Sequence, residues 1–351
     1  PELGDGGFLA LLVHRGHLPT DRAAELARRA AAGAALDTLL AAEPGWTKDR
    51  VAELRRTRAG ERPDVPGYDL LDRVGRGGTA DVWAARERRT GRDVALKLLR
   101  PEAALHAPTL RAFVREGKLL ERLDHPGLVK GLGVARSGDL YLSRLELLDG
   151  ETALEILERG ERMGEESALA IVLDVAEVLA YLEVEGLVHR DVKPGNIVRT
   201  RSGRTVLIDL GFAADQGAVD RGADSAVGTA AYLSPEQARG GAAADARSDV
   251  YSLGVSLFQL VVGRLPFEAS KTEDLLRQHI ERELSSPELR RRGISPHLHY
   301  FVEKMTAKDA DQRFQSFGEL IAQVRGALDG RRGLDFGSGP RSNPPPRRPR
   351  R

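Results

Sequence analysis

His189-Arg190-Asp191-Val192-Lys193-Pro194-Gly195-Asn196 places a carboxylate, an ammonium and an amide close together on one loop. Asp191 can accept the proton of a hydroxyl, Lys193 can neutralise a moving phosphoryl group, and Asn196 can hold a metal. Ile208-Asp209-Leu210-Gly211 follows a short way on and adds a second oxygen donor, Asp209. Two such donors suit a hard cation that stays bound to phosphates and waters. Taken alone, an Asp and an Asn on loops are more often turn formers. The neighbouring sequence has to decide.

Upstream, Gly75-Arg76-Gly77-Gly78-Thr79-Ala80-Asp81-Val82 lies between two predicted strands. Glycines there let backbone N–H groups close over phosphates without a Cβ in the way, although a tight hairpin has the same composition. Val94-Ala95-Leu96-Lys97 then ends an apolar strand in one of only 8 lysines among 53 basic residues. A lysine in that setting needs an anionic partner, because an unpaired buried ammonium is costly. Triphosphate oxygens would serve, with Glu116 on the following helix as the carboxylate that orients the amine; the alternative is a surface lysine on an edge strand.

The secondary-structure pattern is two-part. Strands are predicted at 68–75, 80–87, 92–99, 131–136 and 140–146, interrupted by one helix at about 108–123. Helices dominate afterwards, at 152–159, 165–185, 247–263, 271–282, 296–306 and 316–328. Strands followed by helices imply an α+β protein of two lobes with a cleft between them.

In this order and spacing, Gly75–Val82, Val94–Lys97, Glu116, His189–Asn196 and Asp209–Gly211 resemble the signature set of the protein-kinase family. The likeness is to the eukaryotic-like serine/threonine kinases of bacteria, and it extends over 68–328. Gly228-Thr229, Ser234-Pro235-Glu236, Asp249 and Arg313 fall at further landmarks of that family. The resemblance implies the bilobal kinase fold, with a small β-rich lobe carrying one regulatory helix and a large helical lobe. It implies ATP as the phosphoryl donor, Mg²⁺ as the metal with Mn²⁺ as an alternative, and protein Ser/Thr hydroxyls as acceptors.

Roles follow from the resemblance residue by residue. Val74, Gly75, Gly77, Gly78 and Lys97 would hold the nucleotide's phosphates and flank. Val82 and Ala95 would sandwich adenine, beneath Leu145 as gatekeeper and beside the Glu146–Leu147 hinge. Asp191 would be the base, with Lys193 and Thr229 beside it. Asn196 and Asp209 would hold the metal, Glu236 and Arg313 would brace the helical lobe, and Asp249 would support the catalytic loop. Phosphotransfer to a small molecule is disfavoured by Glu236 and Arg313, and a nucleotide-binding scaffold is disfavoured by the presence of Lys97, Asp191 and Asp209.

Some positions depart from the family pattern. Ala80 stands for the third glycine and Leu210 for the usual Phe, both apolar changes away from the charges. Gly117, next to Glu116, is expected to loosen the regulatory helix, since a helix-interior glycine costs about 0.5–1 kcal/mol relative to alanine. Arg190 would ordinarily await a phosphorylated residue, yet Ser225 is the one hydroxyl between Phe212 and Gly228. Asp220 or Asp224 is expected to supply part of that negative charge, with Ser225 phosphorylation as the rival.

Residues 1–60 form a separate prediction. Phe8, Leu11, Leu12 and Leu18 match Leu36, Leu39, Leu40 and Trp46 at a 28-residue offset, and Asp21–Leu26 matches Asp49–Leu54. Each copy is a helix, a turn and a second helix, with starts at Thr20 and Thr47, and neither apolar face is large enough to stand alone. The pair resembles the small paired-helix modules ahead of some bacterial secretion ATPases and signalling proteins, which implies a small all-α domain that either binds a regulatory partner or regulates the chain itself, with a stabilising extension as the alternative. Its Asp-Arg pairs are either anion or partner contacts or solvated charge.

Residues 61–67 read as a linker, and 329–351 as a disordered Pro/Arg-rich tail. The 331–351 stretch carries seven arginines and one aspartate, leaving 46 basic against 51 acidic residues in the remainder. With no aromatics among the last fifteen residues, a linker or generic electrostatic contact is expected of the tail, and no specific nucleic-acid binding. The arginine bias suggests a GC-rich bacterial genome. The chain has no cysteine, which excludes disulfides and thiolate chemistry. No transmembrane segment or signal peptide is expected, and the default location is cytoplasmic. Pro1 in place of an initiator Met is expected of a processed chain or a fragment.

Overall fold

The computed structural model describes residues 5–14, 18–43, 46–48, 50–51, 63–137, 140–215, 230–240, 244–284 and 295–335. Thr229, Ser225, Asp220 and Asp224 lie outside the described residues, as do 61–62 of the expected linker and 336–351 of the expected tail. The chain divides into two compact units, one of Pro1–Gly75 with Trp83–Val94 and the other of Arg76–Val82 with Ala95–Arg351.

Three helices open the first unit: α1 (Asp5–His14), α2 (Thr20–Ala31) and α3 (Leu36–Ala41). Phe8, Leu12, Leu18, Ala23 and Leu26 from the first repeat share one buried core with Leu36, Leu39, Leu40 and Val51 from the second. Neither copy closes a core by itself. Arg22 ties them together as well, donating from Nε and Nη2 to Glu43 at 2.8 and 2.7 Å and from Nη1 to Glu25. Its guanidinium is thus committed within the repeat. Arg50, the matching residue, lies 5.6 Å from the centre of the Trp46 ring. Thr47 caps its helix as expected, its hydroxyl accepting from the Arg50 N–H at 3.1 Å. The N-cap position of α2 falls one residue earlier than expected, on Pro19, which is extended at φ −64° and ψ 149° and whose carbonyl accepts from the Ala23 N–H at 2.9 Å.

β1 (Tyr68–Arg76), β2 (Ala80–Glu87), β3 (Asp93–Leu99), β4 (Gly131–Ser137) and β5 (Leu140–Glu146) form a five-stranded sheet in the order β1-β2-β3-β5-β4. Between β3 and β4 run α4 (Pro101–Ala104) and α5 (Ala107–Arg122). On α5, Phe113, Glu116, Gly117 and Leu120 are buried, the i, i+3, i+4, i+7 spacing of one helix face.

The helix-rich part follows. It comprises α6 (Ala153–Glu158), α7 (Glu165–Val184), α8 (Pro235–Arg239), α9 (Ala246–Val262), α10 (Thr272–Glu281), α11 (Pro296–Met305) and α12 (Phe317–Asp335). Short strands lie among them: β6 (Gly150–Thr152), β7 (Leu187–Val188), β8 (Ile197–Thr200), β9 (Thr205–Leu207) and β10 (Ala214–Asp215). Asp245 caps α9 by accepting from the Arg247 N–H at 2.8 Å, and Gly263 ends the helix in the left-handed region at φ 81°. Nearly every side chain of α9 is buried, so it is the lobe's central strut. Leu253 and Leu257 of α9 share one core with Val172 and Leu179 of α7, Val302 of α11 and Leu320 of α12. The last helix continues to Asp335 and overruns the Leu328 boundary expected from composition. Among the described residues no helix is long and apolar enough to cross a membrane.

Candidate active site

Lys97 reaches the site because β3 alternates. Leu96 and Leu98 are buried on either side of it, while its own ammonium meets Glu116 Oε1 of α5 at 2.6 Å and Asp209 Oδ2 at 3.5 Å. Burial alone would lower the lysine's pKa, but the charges of Asp209 and Glu116 outweigh it and hold the group above its ordinary value. Asp209 also overcomes its burial and is held low, by Lys97 and by the Gly211 N–H, which donates to Oδ1 at 2.8 Å. Glu116 fares differently. Burial first, and then Asp209, push its carboxyl up to about 7 against the pull of Lys97.

That value has a consequence for rate. Glu116 must be ionised to hold Lys97, so kcat/KM for ATP falls as pH drops through about 7 and is retained above it. A pH profile of Glu116→Gln should be low and flat over the same range. The comparison separates Glu116 from Asp249, whose buried carboxyl is also pushed up to about 7.

The loop between β7 and β8 is held in a strained shape by one buried carboxylate. Asp249 accepts from the His189 N–H at 2.8 Å and from the Arg190 N–H at 2.7 Å. Arg190 stands at φ 67°, a left-handed conformation rare for a non-glycine residue. His189 is fully buried, and burial lowers its imidazole to about 4. It is therefore neutral at pH 7, and its Nδ1 accepts from the Asp191 N–H at 3.2 Å. Asp191 is in turn held by Lys193 Nζ, at 2.9 and 2.8 Å from its two oxygens, and by Asn196 Nδ2 at 2.9 Å. Burial raises the Asp191 pKa despite Lys193, a shift in the direction a base requires.

Antiparallel pairing brings Asn196 next to Asp209. Ile197 lies opposite Leu207, and the Ile208 N–H donates to Asn196 O at 2.8 Å, so the two residues flank one end of the β8–β9 ladder. Asn196 uses its amide N–H₂ on Asp191, at 2.8 Å to the carbonyl and 2.9 Å to the carboxylate. Its Oδ1 is thereby oriented away from those acceptors. Among the described residues no group of three or more His, Asp or Glu is assembled for a metal. The donors at hand are an amide oxygen and a carboxylate held at φ 73°. That set fits a hard cation completed by phosphate and water, not an all-protein cage.

The residues expected around adenine lie in or against one apolar cluster. Ala95 and Leu145 are buried in it together with Leu210, and Val82 and Leu147 pack against it. At the expected hinge, the Glu146 carboxylate is itself fastened. Oε1 accepts from the Lys130 N–H at 3.0 Å and Oε2 from Arg204 Nη2 at 2.8 Å. Arg204, on the β8–β9 turn, has no signal in the sequence because its partner lies 58 positions away. In the glycine turn, the Gly77 N–H closes the hairpin on Ala80 O at 2.9 Å, so at this residue the hairpin reading of the motif holds. Val74 is half-exposed near the end of β1.

Gly117 overturns an expectation. A Cβ built on it would meet Val134 Cγ2 at 2.1 Å and Ser143 Oγ at 3.0 Å. The missing side chain therefore lets α5 press against β4 and β5; it does not loosen the helix. Gly117→Ala should displace the turn that carries Glu116, and a shift of about 1 Å costs on the order of 100-fold in rate. A loss of about ten- to a hundredfold in kcat/KM is expected, with recovery in the Gly117→Ala/Val134→Ala double variant, which clears the clash. A full loss unrelieved by the second change would place the defect elsewhere.

Glu236 and Arg313 form a two-pronged pair at 2.7 and 2.8 Å, with Ser248 Oγ donating to the same carboxylate at 2.7 Å.

Residues 68–323 match the protein kinase domain family, and the chain belongs to that family. Membership implies use of ATP and a divalent cation. The chain is 36% identical to a probable serine/threonine-protein kinase of Streptomyces coelicolor, over 75% of this chain and 40% of that protein. It is 35% identical to the serine/threonine-protein kinase PknB of Mycobacterium tuberculosis, over 73% of this chain and 42% of PknB. To the serine/threonine-protein kinase PrkC of Bacillus subtilis it is 32% identical, over 75% of this chain and 40% of PrkC. The matched part thus spans about two fifths of the length of these relatives.

Proposed function

We propose that this chain transfers the γ-phosphoryl group of ATP to Ser or Thr hydroxyls of protein substrates in bacterial signalling, itself included among the acceptors. The observation that carries the reading is the convergence of Lys97, Glu116 and Asp209 on one side and Asp191, Lys193 and Asn196 on the other. Asp191 takes the acceptor's proton as its oxygen attacks the γ-phosphorus, and the bond to the β-phosphate oxygen breaks. Lys193 neutralises the group in flight, and Lys97, steadied by Glu116, holds the remaining phosphates. Asn196 and Asp209 would hold Mg²⁺, or Mn²⁺ in its place, which supplies charge neutralisation at the phosphate oxygens when bound. Thr229 completes the acceptor site in this reading.

The names of the similar proteins favour Ser/Thr over Tyr acceptors. An ATP-consuming domain of this kind is placed in the cytoplasm, where its donor is. The N-terminal repeat is assigned a regulatory partner, the tail a linker role with no specific nucleic-acid binding.

Incubation with γ-labelled ATP, Mg²⁺ and a generic basic protein tests the reading. Label is expected on serine or threonine of the protein or of the chain itself. Nucleotide binding without any transfer would favour a scaffold over an enzyme.

A further inference from the structure

Arg100, the residue after β3, makes four hydrogen bonds to the glycine turn. Its Nε and Nη2 donate to the two oxygens of Asp81 at 3.2 and 2.9 Å, and Nη1 donates to Gly78 O at 3.3 Å. Its own N–H donates to Thr79 O at 2.9 Å. Ala80, the one remaining residue of that stretch, is buried against Leu99 and Phe113. Residues 78–81 are therefore held one after another, three through Arg100 and one by packing. Phe113 lies one helical turn before Glu116 on the same buried face of α5.

A glycine-rich turn has more freedom to lose than any other segment, so holding it in one place needs outside contacts. Asp81 and Arg100 are both partly buried, 23% and 28% exposed, and the guanidinium meets the carboxylate with two parallel donors. That geometry is specific to arginine, since a lysine ammonium cannot reproduce the fork. Ala80 fits the same scheme. A glycine there would forfeit the contact with Phe113 and free the turn again.

We propose that Arg100 and Asp81 are a latch that sets the position of the phosphate-covering turn, acting as positioning residues for nucleotide binding and not for the transfer step. The inference rests on the nucleotide reading of that turn given above. Without the latch the turn spends part of its time out of place, and apparent nucleotide affinity falls by the fraction of time it is competent.

Arg100→Ala and Asp81→Ala, assayed in the full chain, should each raise KM for ATP and the Kd for Mg·ADP by roughly three- to tenfold, the scale of a well-formed bidentate pair. Turnover at saturating ATP should stay within about twofold, because the groups that act on the transferred phosphoryl are untouched. The charge-swapped Arg100→Asp/Asp81→Arg variant should recover part of the affinity. If Arg100→Ala does not fold, Arg100→Lys decides, with a smaller rise in KM and Kd expected. Unchanged KM and Kd in the folded variants, alongside a Lys97→Ala control that loses activity, would overturn the latch. Undiminished turnover in Lys97→Ala would instead sink the nucleotide reading itself.

Discussion

Asp191→Asn lowers kcat by about 10²–10⁴-fold while KM for ATP moves little, because the change removes a proton acceptor and keeps its shape. The wild-type carboxylate is fixed by Lys193 at 2.8–2.9 Å and by Asn196 at 2.9 Å, with its backbone N–H on the neutral His189 ring. An asparagine can retain one oxygen toward Lys193 and fill the same volume, but it cannot take a proton from an attacking hydroxyl. In the proposed reading the nucleotide is held by Lys97, the glycine turn and the Ala95–Leu145 cluster, none of which the substitution touches. Steady-state kinetics with ATP varied at saturating protein substrate distinguishes the outcomes. A large rise in KM with kcat intact would remove Asp191 from the base role.

Arg313→Ala should cost about 3–5 kcal/mol of stability, the scale for removing one partner of a buried ion pair. Arg313 is fully buried and donates to Glu236 twice, at 2.7 and 2.8 Å, and to the carbonyls of Arg247, Ala307 and Lys308 at 2.9, 2.8 and 3.3 Å. Its guanidinium also lies 5.0 Å from the centre of the Tyr251 ring. Deleting the side chain leaves Glu236 with Ser248 alone among these donors and strands three carbonyls.

The pair also predicts an acid limit. Burial works against the ionised form of Glu236, but Arg313 and Ser248 hold it down to about 2 from an ordinary 4.5. A depressed carboxyl contributes its full stability above about 4.5 and loses it as pH falls toward about 2. Denaturant unfolding of wild type and Arg313→Ala at pH 7 checks the first expectation, and the same comparison below pH 4 checks the second, where the gap should narrow.

The family was legible from local sequence because most of its landmarks are short, order-dependent motifs. His189–Asn196 and Asp209–Gly211 must be loops with those side chains, and Val94–Lys97 must be a strand that delivers a lysine. Apolar spacing also pointed to two small N-terminal faces that have to share a core, and Phe8, Leu12, Leu36 and Leu40 do share one. Composition was the weaker guide at the ends of elements. It stopped the last helix at Leu328 where it runs to Asp335, and it put the N-cap position of α2 on Thr20 where it falls on Pro19.

Tertiary contact alone decided the rest, because those roles depend on what lies across space from a residue. Gly117 reads as a weak point in a helix until Val134 is found 2.1 Å from where its Cβ would be. Arg100 and Arg204 read as surface arginines, two among 45, until their partners, 19 and 58 positions away, are in place. Residue type and order determined which family this chain belongs to. Close packing and long-range hydrogen bonds determined how firmly each part is held.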